Sequence, residues 1–248
     1  MSFIRFAARI SAVEAIKGNT VVGSNVLDSE IGVLDIAADG SLRTDKDKPF
    51  ISVYTDGSKL MEGLELRSLA SPGQLDIVFE AGVTTAHAVT DAETDESVIL
   101  GMPATDATFE FHLDMALRQT GDALNNSENE WAEIFRSLCS SFQSASRSRI
   151  SGDTNGVRLA AHQLKITANM VAEPLCGQLL NPGSPFAKFL AKCESDLAPN
   201  DPSMAEKIAL IRAQLSGNAS ELQTAMRRYG LIHDEADAML ITPFEGSP

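Results

Sequence analysis

Histidine is the side chain best suited to acid–base chemistry near neutral pH and to zinc binding, and this chain has four of them. His112 lies closest to other ionisable groups, since Glu110 and Asp114 are each two residues away. Residues two apart on a helix point in different directions, so the spacing predicts a polar helix surface rather than a metal or acid–base site. No pair has the His-x-x-x-His spacing of a zinc helix. The four are His87, His112, His162 and His233.

The three cysteines are an odd number, and no two of them form a Cys-x-x-Cys pair. This pattern does not match a secreted disulfide scaffold. Free cysteine behaves as a small buried hydrophobe, so we expect Cys139, Cys176 and Cys193 to be reduced core thiols. The alternative is that one of them bonds to a neighbouring subunit after exposure to oxygen. Cys176 and His162 would form a nucleophilic pair only if folding joined them, and the sequence supplies no third group.

Motifs for cofactor binding and catalysis are missing from the chain. It has neither Gly-x-Gly-x-x-Gly nor Gly-x-x-x-x-Gly-Lys-Ser/Thr to cradle phosphate, and no Gly-x-Ser-x-Gly elbow. The acidic run 91–96 lacks the spacing of an EF-hand loop, so it predicts a solvated loop, with a divalent-ion site as the alternative. The sequence therefore predicts no catalytic, cofactor-binding or metal-binding residues, no cofactor, and a protein that is not an enzyme.

The balance of acidic and basic residues limits the classes of molecule that this protein is expected to bind. Acidic residues outnumber basic ones 34 to 20, and the formal net charge is −14. Nucleic-acid affinity comes largely from Lys and Arg, so this balance disfavours tight DNA binding but allows DNA to pass without sticking. No signal peptide and no run of about 20 apolar residues is visible, which predicts a soluble compartment and no membrane partner.

The pattern of apolar residues predicts an α+β fold with a small antiparallel or mixed sheet flanked by helices. Residues 3–17 have helical apolar spacing, and Gly18 is a typical helix stop. Residues 49–56 and 75–80 alternate with period two and predict neighbouring antiparallel strands. Residues 31–48 predict an exposed loop.

The middle of the chain predicts a helix over 105–124 and a second over 128–140, the latter with Ser127 and Glu130 as a capping box. Residues 140–156 are rich in Ser, Arg, Asn and Gly and predict a mobile loop that carries Arg147 and Arg149. Residues 157–171 suit a long strand with a bulge near Gln163, and a helix is the rival interpretation.

Five prolines punctuate the chain from Pro174 onward, where the pattern changes to short helices. We expect two domains, an α+β domain over 1–173 and a helical C-terminal extension over 174–248. The predicted helices of the extension are 185–195, a helix to Leu215 capped by Ser203, 220–229 and 234–240.

The order of these elements resembles that of the tail terminator (tail-completion) proteins of tailed bacteriophages. The resemblance rests on the N-terminal helix and the three segments 20–29, 49–56 and 75–80, followed by the helical pair 105–140 and the segment 157–171. It favours a strand over 157–171. The residues of these segments determine packing and turns, and none of them indicates a catalytic reaction.

The resemblance implies a structural virion protein. Such proteins form a homo-hexameric ring that caps the tail tube, ends tail polymerisation and provides the neck surface for head–tail joining. The implied partners are the tail tube protein, a neck or head–tail connector protein and, in a contractile tail, the sheath; genome DNA passes through without specific binding. Assembly would take place in the host cytoplasm. The alternatives are another neck connector, a tail-tube subunit or an unrecognised soluble enzyme.

Overall fold

A computed structural model describes residues 2–29, 49–60, 73–84, 89–90, 97–98, 106–154, 157–177 and 180–217. These residues form a mixed five-stranded sheet, a two-stranded sheet and five α-helices, so the predicted α+β class is confirmed. The helices are α1 (Phe3–Ile16), α2 (Asp106–Asn125), α3 (Glu130–Leu138), α4 (Pro185–Lys192) and α5 (Pro202–Ser216). The strands are β1 (Val26–Asp28), β2 (Phe50–Leu60), β3 (Gly73–Thr84), β4 (Val89–Thr90), β5 (Ser97–Val98), β6 (Cys139–Thr154) and β7 (Val157–Met170).

The large sheet has the strand order β1-β2-β3-β7-β6. β1 runs parallel to β2, and the other neighbours are antiparallel. The predicted antiparallel pairing of residues 49–56 with 75–80 is therefore confirmed. β7 pairs with β3 without interruption from Leu159 to Asn169, so the predicted bulge near Gln163 is wrong. The register shifts lie in β2, between Thr55 and Ser58, and at the start of β6.

Residues 139–154 form strand β6, and the prediction of a mobile loop over 140–156 is therefore wrong. Ser and Arg alternate from Ser146 to Arg149, and β6 pairs along its length with β7. Backbone hydrogen bonds to a long neighbouring strand can order a segment that has few apolar groups of its own. The predicted strand over 157–171 is confirmed, since β7 covers Val157–Met170.

The described residues divide into two compact units. One unit holds residues 8–29, 49–60, 73–84, 89–90, 97–98, 106–154 and 157–170, and therefore both sheets, α2 and α3. Its core combines the last turns of α1 with the centres of β2, β3, β7, α2 and α3. The largest fully buried side chains of this unit are Ile16, Phe50, Ile51, Ile77, Phe79, Phe135 and Leu138.

The other unit holds residues 2–7, 171–177 and 180–217. Phe3 stacks on Phe186 with ring centroids 6.0 Å apart, and Phe6 meets Phe189 edge-on at 5.8 Å. The Glu173 carboxylate accepts hydrogen bonds from the Ser2 hydroxyl and from the N–H groups of Phe3 and Ile4. A distant carboxylate thus supplies the partners that the first N–H groups of α1 lack.

Helix ends follow capping chemistry, although sequence spacing misplaced two of the caps. Asn129 caps α3 by accepting from the N–H groups of Trp131 and Ala132, in place of the predicted Ser127. Asp201 caps α5, in place of the predicted Ser203. Gly18 has φ +73° just after α1, as expected of a helix stop.

Several predicted elements lie outside the described residues. These are the loop 31–48, the acidic run 91–96 and the helices 220–229 and 234–240.

Candidate interaction surface

The two faces of the five-stranded sheet carry different chemistry. Leu75, Ile77 and Phe79 of β3 are buried on one face, which we call the helix side because α2 packs against β3 and β7 there. Apart from the buried Val78, the positions between these residues and their partners on β7 carry polar and charged groups on the opposite face, which we call the polar face. Asp76 pairs in register with Thr167, and Glu80 pairs with Gln163.

On the helix side, His162 of β7 meets two carboxylates of α2. Its Nε2 lies 2.8 Å from Glu110 Oε2, and its Nδ1 lies 3.5 Å from Asp114 Oδ1. Arg149 of β6 stands beside His162 in register and places a guanidinium nitrogen 2.7 Å from Glu110 Oε1. Glu110 and Asp114 are four residues apart, so they project from the same side of α2.

This cluster joins α2 to strands β6 and β7 of the sheet. His162 Nε2 and Glu110 Oε1 have no hydrogen-bond partner of acceptable geometry among the described residues, so their short contacts lack aligned hydrogen bonds. Within the part of the chain that the structure describes, no group of three or more His, Cys, Asp or Glu could hold a metal ion.

Of the other candidate residues, the structure describes His112 and Cys176. His112 is half-buried and packs edge-on against Phe111, with ring centroids 5.8 Å apart. Cys176 belongs to the other unit, where its thiol lies 3.1 Å from the Gln214 carbonyl oxygen. His87, His233 and the run 91–96 lie outside the described residues.

All three cysteines are free thiols, but the expectation that all are core residues is wrong for one of them. Cys193 is fully buried, Cys139 is half-buried and Cys176 is exposed. Burial raises the pKa of the Cys139 thiol to about 12. Of the three thiols, only that of Cys176 is exposed.

A chain of hydrogen bonds crosses the polar face of the sheet. The Ser148 hydroxyl donates to Gln163 Oε1 at 3.4 Å, and Gln163 Nε2 donates to the Tyr54 hydroxyl at 3.0 Å. Tyr54 in turn donates to Glu80 at 2.9 Å. Burial, together with the hydrogen bond to Glu80, raises the pKa of Tyr54 to about 12. The Tyr54 hydroxyl thus stays protonated and links strands β2, β3 and β7.

A second polar group on this face centres on Asp76. Lys165 Nζ lies 2.6 Å from Asp76 Oδ2 and 3.5 Å from Asp56 Oδ2. The Thr167 hydroxyl donates to Asp76 Oδ1 at 2.6 Å. Burial acts to raise the pKa of Asp76, but the hydrogen bonds from Lys165 and Thr167 and the charge of Lys165 outweigh it and hold the pKa below its usual range.

Strand β6 is the feature that stands out as a surface for another molecule. It is the last strand of the sheet, and every residue from Ser140 to Arg149 is exposed. A strand at the edge of a sheet normally has one buried face, whereas this stretch is open on both. Phe142 lies on it with 51% of its surface exposed, 6.3 Å from the Phe135 ring by centroids. Unpaired backbone groups at such an edge readily accept another strand.

The sequence held two signals that motif searching missed. Glu110 and Asp114 share a helix face with each other, although neither shares one with His112, and their partner His162 is distant in sequence. The alternation of Ser with Ala145, Arg147 and Arg149 has the period of a strand, which the high Ser and Gly content of the segment concealed.

No protein-family model matches the chain, and no curated protein shows significant similarity to it. Of the helices in the described ranges, none combines the length and the apolar character needed to cross a membrane.

Proposed function

We propose that this chain is a structural subunit of a bacteriophage tail, a tail terminator that closes into a ring on the end of the tail tube and offers a joining surface to the neck. The observation that carries the proposal is strand β6, a 16-residue strand at the edge of the sheet whose residues 140–149 are exposed on both faces. A monomeric enzyme gains nothing from leaving so long an edge unprotected, because open edges invite aggregation. A subunit that joins copies of itself can use such an edge for the contact.

The order of elements supports the same proposal. The segments on which the resemblance to tail terminators rests correspond to α1, β1, β2, β3, α2 with α3, and β7. In a ring of six such chains, the tail tube protein would contact one end and a neck or connector protein the other. A contractile tail would add sheath contacts. The location would be the tail of the virion, at the neck, after assembly in the host cytoplasm.

The charge of the chain fits passage of DNA rather than its retention. At −14 per chain, a ring would repel phosphate along most of its surface. On the polar face, Asp56, Asp76 and Glu80 outnumber Lys165 among the charged groups described above. A channel wall that does not bind DNA allows the DNA to move through the neck.

The test combines light scattering after size exclusion with electron microscopy of the purified full chain, alone and with tail tubes of the phage that encodes it. The expected result is a closed ring, with one ring at a tube end. Open-ended polymers would identify a tube subunit instead, because a heterologous contact that does not close builds a filament. A chain that stays monomeric at high concentration, even with tubes present, would overturn the proposal.

A further inference from the structure

We propose that the β6 edge, residues 140–149, is one half of a heterologous contact between copies of this chain, and that it docks on an acidic surface of the neighbouring copy. This inference rests on the proposed ring-forming function and assigns the contact to a named surface.

The composition of the β6 edge differs from that of the rest of the chain. Residues 139–149 contain Arg147 and Arg149 but no Asp or Glu, whereas the whole chain has a formal charge of −14. The stretch is therefore a positively charged strip on an acidic molecule. Charge complementarity of this kind steers association and fixes register.

The strip also offers the contacts that a strand-to-strand interface needs. Its outer edge presents backbone N–H and C=O groups, and five serines give small polar side chains that do not obstruct an incoming chain. Phe142, 51% exposed, supplies an apolar anchor. Aromatic residues of this kind often carry a large share of interface energy.

The charges favour a second copy of this chain as the molecule that binds the strip. Nucleic acid is disfavoured, since two arginines release few counterions and Arg149 already contacts Glu110 at 2.7 Å. Symmetric pairing of the stretch 140–149 with itself would give Arg147 no acidic partner, because that stretch has none. A different, acidic surface of the next copy neutralises Arg147, and unlike surfaces in contact are what closes a ring.

The experiment compares Arg147→Glu with Arg118→Glu in the full-length protein. Arg118 is a matched control, because it undergoes the same charge change and is 75% exposed on α2, away from the strip. Sedimentation measures the self-association constant of each variant, and circular dichroism checks its fold. The expected result is that Arg147→Glu weakens self-association by about tenfold or more, whereas Arg118→Glu changes it by less than about threefold.

Hydrogen exchange on the unmodified protein gives a second measurement that does not depend on any variant. Amides within residues 140–149 should exchange more slowly in the assembled protein than in the dilute monomer. Assemblies with unchanged exchange there and an Arg147→Glu variant that associates normally would overturn the inference but leave the ring proposal standing. Protection of the strip in dimers or filaments would support the inference and overturn the ring, whereas a chain that never associates would overturn both.

Discussion

The ring of Phe50 lies over the backbone of Gly82, its partner in register on the adjacent strand β3. A Cβ atom at Gly82 would stand 2.2 Å from Phe50 Cζ, well inside contact distance. Phe50 itself is 1% exposed, so its ring has little room to move aside. The absence of a side chain at Gly82 is thus what allows a large aromatic group to close this part of the sheet.

The first prediction concerns this contact. Gly82→Ala should destabilise the protein by about 1–3 kcal/mol, as expected when a well-packed core is overfilled. Gly57→Ala on β2 is the control, since its Cβ would meet only Asp76 Oδ2 at 3.4 Å. Urea unfolding measures both variants. Equal stability of Gly82→Ala and the parent protein would show that the Phe50 ring can move.

The second prediction concerns the pH dependence that Asp76 confers. A carboxyl whose pKa is held down in the folded state stabilises the fold above its unfolded pKa, and that stability is lost as pH falls through the folded pKa. Asp76→Asn should therefore cost about 1 kcal/mol at pH 7 and progressively less as the pH falls below 4. Unfolding curves of the variant and the parent protein, recorded at pH 7 and at several values below 4, measure the cost at each pH. A cost that stays constant with pH would contradict the role of the Asp76 charge.

The third prediction distinguishes the two candidate caps of α3. Asn129→Ala should destabilise the protein by about 1 kcal/mol, since Asn129 accepts from two N–H groups and also donates to the Ala15 carbonyl oxygen. Ser127→Ala should change stability by less than about 0.5 kcal/mol. Thermal unfolding of the two variants gives the comparison. A larger loss for Ser127→Ala would restore the capping box expected from sequence.

The fourth prediction concerns thiol reactivity. Cys176 should be alkylated first by iodoacetamide at pH 8, because it is exposed, whereas Cys193 is fully buried and burial raises the pKa of Cys139 to about 12. Mass spectrometry of digested protein measures the order of labelling. Cys176→Ser should leave a protein that reacts slowly in the folded state and quickly in urea. Rapid labelling of Cys139 in the native protein would contradict the prediction.

Local periodicity by itself determined the α+β class, the strands at β2 and β3, and the helix stop at Gly18, whereas for β7 it left a helix as the rival interpretation. Apolar spacing of period two or 3.6 reports which side of an element is buried, and a glycine tolerates positive φ whatever surrounds it. These are properties of short segments, so they can be inferred without knowing the partners.

Only the tertiary structure decided the features that depend on contacts between different elements. Residues 139–154 become a strand because β7 supplies a backbone ladder, although their own composition predicts a loop. Glu173 caps α1 from 170 residues away, and His162 meets two carboxylates that sequence analysis had assigned to the neighbourhood of His112. The contacts of Glu173 and His162 join groups far apart in sequence, and no local pattern encodes which distant group folding will bring near.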